Sequence, residues 1–84
     1  MIEDRTAADE ILDEAAAAHR RYGSFTSSHE AYGVLAEEVA ELLDAIRANK
    51  IESIRQEAIQ VAAVALRLAE CCRGHEAFRK RSSG

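Results

Sequence analysis

No proline occurs anywhere in this chain, and glycine occurs only at positions 23, 33, 74 and 84. These are the residues that most often stop or kink a helix, so the sequence has few obligatory breaks and can support long helices. The apolar residues repeat with the matching period. From about Thr6 to Tyr22, the residues Ala8, Ile11, Ala15, Ala18 and Tyr22 recur at spacings of three and four, with Asp9, Asp13 and Arg20 opposite. That pattern predicts an amphipathic helix, ended by Gly23 and followed by the polar loop Ser24-Phe25-Thr26-Ser27.

Ser27 and Glu30 then stand in the S-x-x-E relation of a capping box, which places the start of a second helix there. Its apolar residues Ala31, Val34, Leu35, Leu42, Ala45 and Ile46 keep helical spacing as far as Asn49, a residue suited to ending a helix. A third helix is predicted from about Lys50 or Ser53 to Arg73, ended by Gly74. Its segment Ala58 to Ala69 is apolar nearly all round, so this helix should be the central one. The expected fold is all-α, a single domain over residues 1–84 with an ordered core at about 6–73 and a polar tail over 75–84. The chain is 48% hydrophobic with no Trp, two Phe and two Tyr, so Ala, Ile, Leu and Val must supply the core, which suits closely packed helices. A chain this short also buries a small share of its surface alone, which favours self-association.

Charge and cysteine content exclude several classes of function. A net charge of −4 argues against a nucleic-acid binder, despite the basic run Arg79-Lys80-Arg81. Cys71 and Cys72 are adjacent, with no second pair to complete a metal-binding spacing, and read as reduced thiols. No apolar run reaches the roughly 20 residues of a membrane span, and the acidic start Met1-Ile2-Glu3-Asp4 does not resemble a signal peptide. The expectation is a cytoplasmic protein with no membrane partner.

The chemistry-bearing residues lie on the second and third helices. At about 100° per residue, Glu37 and Asp44 fall roughly 100–120° from the centre of the apolar stripe of the second helix, with Glu30 nearby, as a hydrated acidic edge would. Glu38 lies instead within about 40° of Ala31, Val34, Leu42 and Ala45, with Glu41 flanking it. An ionised carboxylate on a packing face is costly unless it is paired or bound to a metal. On the third helix Glu57 aligns with Ile54, Val61, Val64 and Leu68, flanked by Gln60 and Arg67. If the two helices form an antiparallel hairpin about Asn49, Glu41 comes level with Glu57 and Glu38 with Gln60, since each helix rises about 1.5 Å per residue. Paired i,i+3 groups on facing helices are how helical bundles build carboxylate metal sites. Oxygen ligands without His or Cys favour a hard ion, Mg²⁺ before Mn²⁺. The competing explanation is an inter-helix ion pair with Arg47, Arg55 or Arg67 from this chain or a partner.

The arrangement Glu37-Glu38-x-x-Glu41, fifteen residues, then Glu57-x-x-Gln60, resembles the E-E-x-x-E … E-x-x-D signature of the MazG-like all-alpha nucleoside triphosphate pyrophosphohydrolases. The segments Ser28-His29-Glu30-Ala31-Tyr32-Gly33-Val34-Leu35 and Gln60-Val61-Ala62-Ala63-Val64-Ala65-Leu66-Arg67 look like the short members carried by phages and mobile elements. The resemblance covers about Ser24 to Glu70. It implies cleavage of a nucleoside or deoxynucleoside triphosphate to the monophosphate and pyrophosphate by a three-helix subunit that completes its bundle as a homodimer or higher oligomer. It also implies Mg²⁺ ligation by Glu38, Glu41 and Glu57, with Glu37 and Glu38 serving catalysis and Glu37 orienting or deprotonating water. Gln60 departs from the pattern: its carbonyl can ligate Mg²⁺, but it cannot act as a carboxylate base. The alternative is therefore a non-catalytic dimer that binds nucleotide or metal. Arg67 could reach a phosphate or pair with a carboxylate. Phe25 and His29, with Tyr22, offer aromatic faces for a base; Tyr22 and Phe25 serve equally well to pack the first helix on the second.

Overall fold

The computed structural model describes residues 4–73, and within them the chain forms three helices and no strand. They are α1 (Ala7–Tyr22), α2 (Ser28–Ala48) and α3 (Ile51–Cys72). The expected Gly74 stop and the tail 75–84 lie outside the described residues. No described helix is long and apolar enough to cross a membrane.

Local chemistry accounts for most helix ends. Thr6 and Asp9 form a full capping box at the start of α1: Thr6 Oγ1 accepts from the Asp9 N–H at 3.2 Å, and the Asp9 carboxylate accepts from the Thr6 N–H at 3.0 Å. Those hydrogen bonds hold the Asp9 carboxyl below its usual range. At α2 only half of the expected box forms. Ser27 Oγ accepts from the Glu30 N–H at 3.1 Å, but Glu30 Oε1 takes the Thr26 N–H at 2.7 Å and the Thr26 hydroxyl at 3.0 Å. The longer glutamate thus ties down the loop one residue earlier, and these bonds hold its pKa low. Gly23 ends α1 at φ 78°, where a side chain would be strained. Asn49 ends α2 in the left-handed region at φ 57°, with its N–H on the Ile46 carbonyl at 3.0 Å and the Lys50 N–H on Ala45 at 3.3 Å. That is a Schellman motif, and it folds α3 back along α2.

Helix α3 is central, as its composition predicts: α1 and α2 each pack against α3 and not against each other. The direct α1–α2 packing considered for Tyr22 and Phe25 is therefore absent. Tyr22 is 68% exposed, whereas Phe25 is buried in a cluster with Ala31 and Val64, flanked by Val34, Leu35, Leu68 and Cys71. The core is thin. Among the described residues its buried apolar members are Ala15, Phe25, Ala31, Ala45, Ile59, Ala63 and Val64, three of them larger than alanine. Ile46, grouped with the core stripe by spacing, is 50% exposed. Because α1 and α2 lie side by side on α3 without meeting, a groove remains between them, floored by α3.

Candidate metal centre

The hairpin brings the carboxylates of Glu38 and Glu41 of α2 together with that of Glu57 of α3. One carboxylate oxygen from each of the three lies within 4.8 Å of the others. Equal helical rises on either side of Asn49 are compatible with that meeting. Glu38 and Glu57 are half-buried and Glu41 is exposed, so the cluster sits at the edge of the α2–α3 seam rather than inside it. Glu38 Oε1 and Glu57 Oε1 are both out of contact with solvent and have no hydrogen-bond partner. A buried carboxylate oxygen in that condition loses hydration without recovering it, which costs free energy unless a proton or a cation is supplied.

The electrostatics agree with the geometry. Burial, followed by the negative charges of Glu41, Glu57, Glu37 and Glu14, pushes the Glu38 pKa up. Burial and then the negative charge of Glu41 raise that of Glu57. The competing explanation, an inter-helix ion pair, is not formed within one chain among the described residues. Arg55 pairs with Glu10 of α1 and, at 3.7 Å, with Glu52. Arg67 is not ion-paired: its Nη2 donates to the Gly23 carbonyl at 3.2 Å, and its guanidinium stacks 4.3 Å from the centre of the Phe25 ring. No described cation forms a salt bridge with any of the three glutamates.

The groove between α1 and α2 opens directly beside this cluster. It encloses about 430 Å³, within the range of small-molecule clefts. Glu14 and Ala18 of α1 form one wall and Val34 and Glu38 of α2 the other, over a floor of Gln60, Val64 and Arg67. Gln60, level with Glu38 in the expected register, thus lines the same cleft. Phe25 lines it too, with its ring covered by Arg67. His29 is exposed and lies outside the lining, and Glu37 is exposed on the outer side of α2.

Glu14 was not readable as a site residue from sequence. Its place on α1 is clear from periodicity, but which residues of α2 and α3 it faces depends on how α1 docks, and the pattern carries no information on that. The donor set fits a hard divalent cation: all oxygen, with three carboxylates on two rigid helices and two oxygens unsatisfied. Comparison with known protein families, curated proteins and solved structures finds no match to this chain.

Proposed function

We propose that this chain is a divalent-metal and nucleotide-binding helical domain of the MazG-like type, in which Glu38, Glu41 and Glu57 hold Mg²⁺ against the phosphates of a nucleotide. The observation that carries this reading is the meeting of three carboxylates from two helices within 4.8 Å, with buried oxygens that no described donor or cation satisfies. A bound Mg²⁺ would neutralise the cluster, draw charge from phosphate oxygens and lower the pKa of a coordinated water. Gln60 offers a neutral carbonyl to the same cleft. Arg67, fixed over Phe25, places a positive charge farther along the groove floor, where phosphate oxygens can approach it. The MazG-like arrangement of the fold, with a bundle completed by a second subunit, belongs to the same proposal.

Binding can be tested by titrating Mg²⁺ or Mn²⁺ calorimetrically into chelator-treated protein, with and without a nucleoside triphosphate. Saturable binding that Glu38→Gln weakens by at least about tenfold, roughly 1.4 kcal/mol, is the expected result. Absence of any metal heat, together with an unmoved melting temperature, would remove the basis of the reading.

Turnover is the second reading. A cleft of this volume beside the carboxylates, with Glu37 next to Glu38 in the E-E-x-x-E pattern, favours hydrolysis of a (deoxy)nucleoside triphosphate to monophosphate and pyrophosphate. Resolving the products over a panel of NTPs and dNTPs with Mg²⁺ tests it. Pyrophosphate as first product supports turnover, orthophosphate as first product contradicts the chemistry, and binding without product leaves the non-catalytic reading.

A further inference from the structure

The side of α1 turned to the cleft carries Glu14, Ala17, Ala18 and Arg21, whose spacings of three, four and seven share one helix face. Helix α1 runs parallel to α3, since Glu10 pairs with Arg55 and the Gly23 carbonyl accepts from Arg67, contacts 45 and 44 residues apart in sequence. The same offset sets Glu14 level with Ala58 and Ile59, less than one turn from Gln60, which lines the same cleft. Glu14 is half-buried there and has neither an ion pair nor a hydrogen bond among the described residues. Its acidic neighbours on α1 are already matched: Asp13 holds Arg5 and Glu10 holds Arg55. Arg5 and Arg20 share a second hollow with Glu14 on the outer side of α1, yet neither bonds to it. Across the cleft its charge reaches Glu38, as the smallest of four acidic contributions that push the Glu38 pKa up.

We propose that Glu14 is a positioning residue of the metal centre. From α1 it accepts hydrogen bonds from water carried by a Mg²⁺ that Glu38, Glu41 and Glu57 hold, and it supplies the negative charge that Gln60 does not. Glu14 lies outside the set of carboxylates that meet within 4.8 Å, so its contact with the ion runs through water. Mg²⁺ suits that arrangement because it keeps several waters, and their protons need acceptors. On the cleft floor Gln60 offers a carbonyl without charge, whereas an ionised carboxylate is the stronger acceptor. An acidic group on α1 also ties three helices into one centre. Helices α1 and α2 pack on α3 without touching each other, so an ion gripped by Glu38 and Glu41 on one side and, through water, by Glu14 on the other would couple them.

This inference rests on the metal reading above. Mg²⁺ titrated calorimetrically into the chelator-treated full chain, without nucleotide, should bind Glu14→Gln about tenfold more weakly than wild type, a loss usual for outer partners of a metal site. Asp13→Asn removes the same charge one residue away on the outer side of α1, where solvent screens it, and should change Kd by less than about twofold. Adding Gln60→Asp to Glu14→Gln should restore the affinity to near the wild-type value, because either position can bring a carboxylate to the cleft. Hydrogen exchange read by mass spectrometry should show Mg²⁺ slowing the α1 amides in wild type and not in Glu14→Gln. Wild-type Mg²⁺ binding that Glu14→Gln leaves unchanged, or that Asp13→Asn weakens as much, overturns the role of Glu14 while leaving the three-glutamate centre intact. A double variant no tighter than Glu14→Gln overturns it too, as does α1 exchange that Mg²⁺ slows equally in both proteins. No Mg²⁺ binding to wild type removes the metal reading and this inference together. If circular dichroism shows Glu14→Gln to be unfolded, Glu14→Ala takes its place with the same expected loss.

Discussion

Replacing Glu57 with glutamine removes one of three mutually repelling charges while keeping the shape of the side chain. At 4.8 Å, a pair of unit charges repels by about 0.9 kcal/mol at the dielectric of water and about 3.5 kcal/mol at an effective dielectric of 20. The cluster is at the edge of the seam, so the lower part of that range applies. Two repulsions disappear, with Glu38 and with Glu41, and solvent at the edge of the seam screens both. The expected gain for Glu57→Gln in EDTA near neutral pH is therefore about 1–2 kcal/mol, or roughly 5–10 °C in Tm for a domain of this size. In saturating Mg²⁺ the order should reverse, because wild type gains about 2.7 kcal/mol at a hundred times Kd and the variant lacks a ligand.

The pH dependence has a definite sign. Glu38 and Glu57 are raised from an ordinary value near 4.5, so in the window above it the folded state holds more protons than the unfolded state. Their effect on the metal-free protein is thus a loss of stability as pH rises from about 4.5 through the raised folded values, with the penalty absent below the unfolded pKa. Asp9 and Glu30, with lowered values, act in the opposite sense: their contribution is lost as pH falls through their folded pKa. The difference between wild type and Glu57→Gln cancels these background groups. Urea denaturation from pH 4 to 8 in EDTA should show that difference growing with pH and levelling once the cluster is ionised. A variant less stable than wild type in EDTA at pH 7.5, or one that responds equally to Mg²⁺, would refute the electrostatic reasoning.

Two further predictions concern the scaffold. Arg67→Ala removes the stack on Phe25 and the bond to the Gly23 carbonyl, and should cost about 1–3 kcal/mol in urea denaturation; a change under about 0.3 kcal/mol would mean that the stack contributes nothing. Gly33 lies within α2 with no atom from outside its own helical turn inside 4 Å of where a Cβ would stand, so Gly33→Ala should stabilise by about 0.5–1 kcal/mol, and an unchanged or lower denaturation midpoint would refute this.

The sequence was most legible where local chemistry decides the outcome. Gly23 and Asn49 end helices because the backbone there needs positive φ, which glycine and asparagine tolerate best among the residues available. The acidic cluster was legible for a related reason: once Asn49 fixes the turn, constant helical rise determines which glutamates meet. What depends on docking was not legible. The wheel placed Ile46 with the core, yet α3 covers α2 on a narrower arc than an apolar stripe alone suggests, and Ile46 falls outside it. The approach of Glu14 to Glu38 follows from where α1 lies on α3, for which spacing within α1 gives no signal. The position of Arg67 on α3 suits either a phosphate or a carboxylate; the partners it has among the described residues are a carbonyl and an aromatic face. Both are contributed by the loop, whose path no periodicity describes.

The groove that results is polarised along its length. Glu38 and Glu14 place negative charge at one end, while Arg67, joined by Arg21 and offset in part by Glu30, stands seven residues beyond Gln60 on the same helix, a rise of about 10 Å. A bare cation would satisfy only the acidic end, and a simple anion only the end near Arg67. A metal carrying a chain of phosphates complements both at once, and a neutral Gln60 is compatible with that arrangement. At that position a carboxylate would add to the repulsion already raising Glu38, whereas an amide supplies a carbonyl towards a cation or an N–H towards a phosphate oxygen without further charge. The neutral Gln60 that weakens the case for turnover is thus electrostatically consistent with the case for binding.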